Sequence, residues 1–190
     1  LCDRRQRQDV YKRQIEYYDK EIITEIAKHT DLSEEYVQSI VESKPHQLYP
    51  ITIGQSFTYL DNYYVGQMQS VYLAQAEILK QLVEKSDCVI VGRCADYILK
   101  EYHPYRIFIY ADMESRINRC IERSTSKEAF TRKEIEKHIR KIDKGRAKYY
   151  EYYTGKVWQH KENYDLCIND TRFGIEGTAD IIMQLSLIHI

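Results

Sequence analysis

Short apolar runs alternate along this chain with longer stretches in which apolar residues recur every three or four positions. The runs, rich in β-branched and aromatic residues, predict strands at residues 15–18, 88–91, 106–110 and 164–168. Helical periodicity and start signals predict helices at residues 20–29, 31–43, 66–85 and 174–183, with further helices around Asp96 and from Asp112 and Thr131. This alternation predicts an α/β fold in which a parallel sheet is flanked by helices.

Two of these helix starts have explicit capping signals. Thr131 and Glu134 stand three residues apart, as the hydroxyl and carboxyl of a capping box do. Asp112 precedes an amphipathic stretch, and Asp is favoured at an N-cap. Asp19 precedes the helix at residues 20–29, so an N-cap is one interpretation of that residue as well.

The apolar run at residues 88–91 predicts a strand buried on both faces, and Gly92 and Arg93 follow it directly before a helix. Open parallel sheets bind their ligands at this edge, where a strand ends and a helix begins. A guanidinium suits a phosphate there, because its planar fork can donate two parallel hydrogen bonds. Arg93 is therefore a candidate phosphate ligand. An ion pair with Asp96 or another carboxylate is the alternative that the pattern leaves open.

Charged residues also recur at helical spacing on two later helices. One face of the helix after Asp112 carries Arg116, Arg119 and Arg123. One side of the helix after Thr131 carries Arg140, Asp143 and Arg146. Spacing alone is typical of a solvated face with surface ion pairs, although clustered arginines are also suited to phosphoryl transfer.

Composition narrows the function classes. The chain has 190 residues, the size of one domain, and 28 basic against 29 acidic residues give a net charge of −1, so we expect no nucleic-acid partner. The five cysteines have no metal-ligand spacing and predict reduced thiols in a cytoplasmic protein, with Cys88 and Cys167 buried in strands. No apolar run approaches the roughly 20 residues of a membrane span.

Five blocks of sequence resemble the cytidylate kinase-like family, small P-loop kinases of the nucleoside monophosphate kinase type. In chain order they are YYDKEIITEIAK, CVIVGRCADYIL, RIFIYADMESRINRCIER, KIDKGRAKYYEYYTGKVW and ENYDLCINDTRFGIEGT. The resemblance spans residues 15–183 and rests on several separate blocks in the order of the family.

The resemblance implies a P-loop kinase-like sheet and ATP-dependent phosphorylation of a nucleoside monophosphate, CMP or dCMP, with Mg²⁺ bridging the ATP phosphates. It implies a mobile lobe at residues 44–65 and a lid at about residues 112–150. In the family, arginines matching Arg116 and Arg119 stabilise the transferring phosphoryl group. The implied nucleoside monophosphate ligands are Asp19, Arg93, Asp96, Arg140, Asp143 and Arg146. The adenine-binding loop corresponds to Asn169, Asp170 and Thr171.

One element of a P-loop kinase is not found in the sequence. The motif Gly-x-x-x-x-Gly-Lys-[Ser/Thr], whose backbone N–H groups cradle phosphates, does not occur. Residues 51–54, ITIG, look like the start of such a loop, but they follow YYDKEII instead of preceding it, and no glycine comes after them until Gly66. We do not interpret them as a phosphate loop.

The two ends, residues 1–14 and 185–190, look foreign to the domain at residues 15–184, and a natural basic arm is the alternative for the first. We expect residues 1–14 to stand where the family has its first strand and phosphate loop. In the family, the first strand lies between the two strands that match residues 88–91 and 106–110. Its loss would leave the sheet without a middle or bring those two strands together. Such a chain is expected to be inactive.

Two other functions remain open at this point. One is a nucleotide-binding or regulatory module without catalysis. The other is a P-loop kinase for a different small anionic substrate, since the pyrimidine preference rests on the family alone.

Overall fold

The computed structural model describes residues 16–42, 58–123 and 130–188. The strands of this part are β1 (Glu16–Tyr18), β2 (Cys88–Ile90), β3 (Ile107–Tyr110) and β4 (Leu166–Asn169). Its α-helices are α1 (Glu21–Thr30), α2 (Glu34–Glu42), α3 (Thr58–Lys85), α4 (Ala95–Ile98), α5 (Met113–Arg123), α6 (Arg132–Thr154) and α7 (Asp170–Ile188). Short 3₁₀ helices span Lys100–Tyr102 and Lys161–Asn163.

The strands form two separate parallel pairs, β1 with β2 and β3 with β4. Tyr18 is aligned with Ile90 in the first pair, and Tyr110 with Asn169 in the second, so each pair ends at a common edge. Within the described residues β2 and β3 are not paired with each other. Of the two expected arrangements, direct pairing of β2 with β3 is therefore not seen in the described part of the chain.

The main core lies between α1, α2 and α3, beside the β1–β2 pair. The predicted apolar face of α1 is buried, and Ile26 meets the fully buried Val37 of α2 and the buried Val71 and Leu79 of α3 in one cluster. Each such aliphatic side chain contributes about 1.5–3 kcal/mol through its removal from water. The helix α3 also contacts α4, the short helix that follows β2. The core packing therefore holds α3 close to the turn between β2 and α4.

The helix α3 begins eight residues before its predicted start at Gly66. No glycine or proline interrupts residues 58–65, so the helix continues through Gly66 despite a propensity cost of about 1 kcal/mol. Residues 58–65, the last part of the mobile lobe that the resemblance implies at residues 44–65, are thus helical, and their mobility remains a prediction. The remainder of that lobe at 44–57, which includes the ITIG stretch, lies outside the described residues.

The strands are less buried than their apolar sequences predict. Ile109 and Tyr110 of β3 are each 46% exposed, β2 is only half-buried, and Cys167 of β4 is exposed. The expectation of strands covered on both faces is therefore wrong here. The reason is that each strand has one hydrogen-bonded neighbour in the described part, and the packed helices leave some faces in solvent.

Both explicit capping signals are confirmed. The Thr131 side chain accepts a hydrogen bond from the Glu134 backbone, and the Glu134 carboxylate accepts one from the Thr131 backbone N–H. Oδ1 of Asp112 accepts from the Ser115 backbone N–H at 2.7 Å, which caps the first turn of α5.

Asp19 does not cap α1. Lys20 occupies the N-cap position and makes no capping bond through its side chain. The Asp19 backbone N–H instead donates to Oε2 of Glu21 at 3.2 Å. The N-cap interpretation of Asp19 is wrong because the residue stands one position too early.

At the other end of the chain, α7 begins at Asp170, directly after β4. Gly174 has non-helical angles inside it (φ 69°, ψ 175°), so a first turn is set apart from the helix predicted at residues 174–183. The helix extends to Ile188 and thus includes part of the segment that looked foreign. None of the helices in the described ranges is both long and apolar enough to cross a membrane.

Candidate functional site

The candidate site begins at the turn after β2. Gly92, Arg93 and Cys94 all have positive φ, at 72°, 58° and 52°. For residues other than glycine this conformation costs about 1–3 kcal/mol and persists only where surrounding contacts enforce it. The turn lies at the edge where strand-end ligands bind, and it holds Arg93 half-buried beside the buried Cys94.

A contact from α3 helps to enforce this turn. Nε2 of Gln75 donates to the Arg93 backbone carbonyl at 2.7 Å, and the Gln75 side chain is fully buried. Sequence reasoning missed Gln75. The available signal was a polar residue within the apolar stripe of α3, between Ala74 and Ile78.

Asp96 follows in the first turn of α4 and contacts α6. Its carboxylate accepts a hydrogen bond from the Tyr150 hydroxyl at 2.6 Å. Burial, followed by this bond, raises the pKa of Tyr150, which keeps the hydroxyl protonated as the donor. Asp96 thus joins the β2 turn to α6.

Arg116 and Asp143, both candidates from the sequence, form an ion pair between α5 and α6. The two guanidinium N–H donors Nη1 and Nη2 lie 2.7 and 2.8 Å from the two carboxylate oxygens. Both side chains are part-buried, and the bond to Asp143 raises the pKa of Arg116. The Asp143 carboxylate thus contacts the guanidinium fork, a group whose geometry also suits a phosphate.

The residues expected at the adenine loop instead contact α5. Arg119 forms an ion pair with the buried Asp170, which also accepts from the Thr178 hydroxyl at 3.2 Å. The Thr171 hydroxyl accepts from the Asp112 backbone N–H at 2.9 Å, and Oδ1 of Asn169 accepts from the Thr171 N–H. These contacts attach the start of α5 to the carboxyl end of β4. The adenine-binding role remains a prediction.

Three other candidates lie in different surroundings. Arg140 is exposed and bonds Glu136 one turn earlier on α6. Arg146 is exposed and has no ion pair or hydrogen bond with another side chain in the part of the chain that the structure describes. Asp19 is half-buried at the carboxyl end of β1, beside β2.

One helix brings most of these groups together. Asp143 of α6 contacts Arg116, Tyr149 shares a buried cluster with Cys94 of the turn, and Tyr150 bonds Asp96. Arg146 lies one helical turn from Asp143 and from Tyr149 on the same side. The structure therefore assembles Arg93, Asp96, Arg116, Asp143 and Arg146 along α6. Arg140 instead pairs with Glu136 on the exposed surface of α6, and Arg119 pairs with Asp170 at the start of α7.

A cleft of about 360 Å³ adjoins this assembly at Asp96 and lies at the amino ends of β3 and β4. Its lining includes Asp96, Lys100, His103, Arg106 and Asp165. The Arg106 guanidinium bonds both carboxylate oxygens of Asp165, at 2.6 and 3.1 Å. Only Asp96 among these residues was a candidate from the sequence.

The described residues lack the glycine-rich phosphate loop of a P-loop kinase. No glycine-rich turn joins a strand to a helix among them. Residues 16–42, 58–123 and 130–188 also contain no group of three or more His, Cys, Asp or Glu side chains placed to hold a metal ion.

Comparison with known proteins supports the fold. A crystal structure of an uncharacterized protein from Eubacterium ventriosum matches 94% of this chain and 87% of its own chain, with a TM-score of 0.64 and 24% identity. A cytidylate kinase of Halobacterium salinarum is 28% identical over 100 residues, which are 53% of this chain and 50% of that protein. The chain thus spans about half the length of the curated relative that it matches.

The family assignment rests on a longer match. The model of the cytidylate kinase-like family matches residues 11–172, most of the chain. It covers the β2 turn, α5, α6 and the start of α7, where the candidate residues lie. From this match we conclude that the chain belongs to the cytidylate kinase-like family.

Proposed function

We propose that this chain provides the acceptor site of a nucleoside monophosphate kinase, with CMP or dCMP as the acceptor. The proposal is supported by the family match and by the assembly of Arg93, Arg116, Asp143 and Arg146 beside α6. Arg93 and Arg146 supply positive charge for a phosphate. Asp143 supplies acceptors for hydroxyl or amino groups of the sugar or base.

The observation that carries the proposal is the placement of α6. This one helix reaches the strand-end turn through Tyr149 and Tyr150 and reaches α5 through Asp143. A monophosphate held at the turn would therefore lie near the α5 arginines. Phosphoryl transfer is catalysed mainly by positioning and charge stabilisation, for which such a set is suited.

The phosphoryl donor is proposed to be ATP, with Mg²⁺ bridging its phosphates, by family membership. Arg116 and Arg119 would stabilise the transferring group. Because the described residues lack a glycine-rich phosphate cradle, no chemical step is assigned to the donor side. We predict that this polypeptide, incubated with ATP, Mg²⁺ and CMP, gives no CDP; CMP-dependent ADP formation by this chain would contradict that prediction.

Calorimetric titration with CMP tests the acceptor site. We expect saturable binding that Arg93→Met weakens roughly tenfold or more, because a charge-assisted phosphate contact is lost. Lys28→Met is the matched control, since Lys28 is an exposed cation on α1 whose partner is Glu25. Cytidine, which has no phosphate, should bind weakly to both variants and to the wild type.

The same titration decides the substrate class. CMP or dCMP binding well above that of AMP and UMP supports selection of the cytosine base. Equal binding of all four nucleotides would contradict the cytidine preference while keeping a phosphate site. Absence of binding by every nucleotide would contradict the proposed function.

A further inference from the structure

Gln75 is a buried polar residue in a helix whose neighbouring side chains are apolar. It is fully buried, as are Val71 and Leu79 one turn before and after it, and its Nε2 donates to the Arg93 carbonyl at 2.7 Å. A buried amide is retained in such a place when its hydrogen bond is needed. Its partner belongs to the turn that carries the proposed phosphate ligand.

The turn itself needs external support. Arg93 and Cys94 are consecutive non-glycine residues with positive φ, and they precede a helix of only four residues. A conformation of this kind is kept only by surrounding contacts. Gln75 provides one such contact from α3, a helix that packs with α1 and α2 in the buried core.

A second buried group adjoins the same place. Tyr149 of α6 is 4% exposed and interacts electrostatically with Cys94 and Arg93. Burial raises the pKa of its hydroxyl. Oε1 of Gln75 and the Tyr149 hydroxyl have no acceptor or donor within hydrogen-bond limits among the described residues. The amide is therefore held through its bond to the turn.

We propose that Gln75 is a positioning residue for the acceptor phosphate: its amide fixes the turn at residues 92–94 and thereby places the Arg93 guanidinium. This inference rests on the proposed function, in which Arg93 binds that phosphate. A fixed guanidinium loses less conformational freedom on binding than a mobile one, so a correct turn conformation increases affinity.

Gln75→Met tests the inference, because methionine has a similar length but cannot donate to the carbonyl. The control is Gln81→Met on the same helix, where Gln81 is exposed and bonds Glu77. Two quantities are measured for each protein, the rate of Cys94 alkylation by peptide mapping and the dissociation constant of CMP. Cys94 reports on the turn because it is buried and its pKa is raised to about 12, chiefly by burial.

We expect Gln75→Met to increase the Cys94 alkylation rate and the CMP dissociation constant, each roughly tenfold, with Gln81→Met unchanged. Cys88, in β2 just before the turn, is the internal reference. Global destabilisation would accelerate Cys88 and Cys94 together, whereas loosening of the turn accelerates Cys94 alone.

Gln75→Glu adds a further measurement, the pH dependence of CMP affinity, which would not change if Gln75 only filled space in the core. A protonated glutamic acid can donate to the carbonyl as glutamine does, but a carboxylate cannot, and burial raises the carboxyl pKa. Relative to wild type at the same pH, its CMP affinity should be near normal at about pH 5.5 and reduced at about pH 8.5.

Each outcome decides the inference. Unchanged Cys94 alkylation in Gln75→Met would overturn the support of the turn by Gln75, as would joint acceleration with Cys88. Faster Cys94 alkylation with unchanged CMP affinity would overturn the connection to the phosphate. If wild type binds no CMP, the proposed function and the substrate role both fail, while the alkylation result still shows whether Gln75 fixes the turn.

Discussion

At the scale of single residues, the most informative contact is the ion pair of Arg116 with Asp143. Its two partners come from separate helices and carry separate roles in the sequence interpretation, one at the transferring phosphoryl group and one at the acceptor nucleotide. The structure shows them bound to each other through two hydrogen bonds. A phosphate near α5 must therefore compete with Asp143 for the Arg116 guanidinium.

A double-mutant cycle measures this pair. We expect Arg116→Ala and Asp143→Ala each to lower the free energy of unfolding, with a coupling of about 1 kcal/mol, because a part-buried charge-assisted pair is lost. Urea unfolding of the two single variants and the double variant gives that value. Strictly additive single effects would show that the pair has no energetic role.

The bond between Arg106 and Asp165 predicts a pH effect. The Arg106 side chain holds the pKa of the Asp165 carboxyl below its ordinary value. A lowered folded-state pKa stabilises the protein above about pH 4 and loses that contribution as the pH falls through the lowered value.

Asp165→Asn should therefore reduce stability at neutral pH and make little difference in strong acid. Because the carboxylate is 39% exposed, we expect less than about 1 kcal/mol at pH 7. Urea midpoints at about pH 7 and pH 2.5 check this. An equal loss of stability at both pH values would indicate that the Asp165 carboxyl stabilises the protein without its negative charge.

At the scale of elements, strong local signals predicted the structure well. The capping box at Thr131, the N-cap at Asp112 and the apolar face of α1 are confirmed because each depends on residues within about one turn. The start of α3 was predicted too late, although no glycine or proline interrupts residues 58–65. The burial of β3 was overestimated because it depends on neighbours distant in sequence. Gln75 and the positive φ angles of the β2 turn likewise follow from tertiary contacts.

The capping box gives an element-scale prediction. Thr131→Ala should destabilise the protein by about 1 kcal/mol, because the Glu134 N–H loses its acceptor at the start of α6. Thr131→Ser keeps the hydroxyl and is the matched control, with a loss expected well below that of alanine. Thermal unfolding compares the three proteins. Equal destabilisation by serine and alanine would contradict the capping role.

At the scale of the whole molecule, the two parallel pairs are the dominant feature. The large buried cluster joins α1, α2, α3 and α4 with Tyr149 and Tyr150, whereas β3 exposes much of Ile109 and Tyr110. The resemblance to the family left two arrangements open, a sheet without its middle or a direct pairing of β2 with β3. It could not predict whether β2 and β3 would pair, because that depends on how the helices pack around them.

This organisation predicts unequal local stability. Hydrogen exchange should show that β3 and β4 open with a lower free energy than α1 and α3, since regions with few buried contacts open first. Native-state exchange at increasing urea concentration measures both. A single opening free energy for all four elements would show that the two pairs unfold as one cooperative unit.

The central claim is that a nucleoside monophosphate binds between the β2 turn and α6. Amide hydrogen exchange with and without CMP tests it most directly. The account predicts slower exchange at residues 92–99 and 143–150 on addition of CMP, and no change at residues 21–30 of α1. No protection at residues 92–99 and 143–150 under concentrations that saturate binding, or protection confined to other segments, would contradict it.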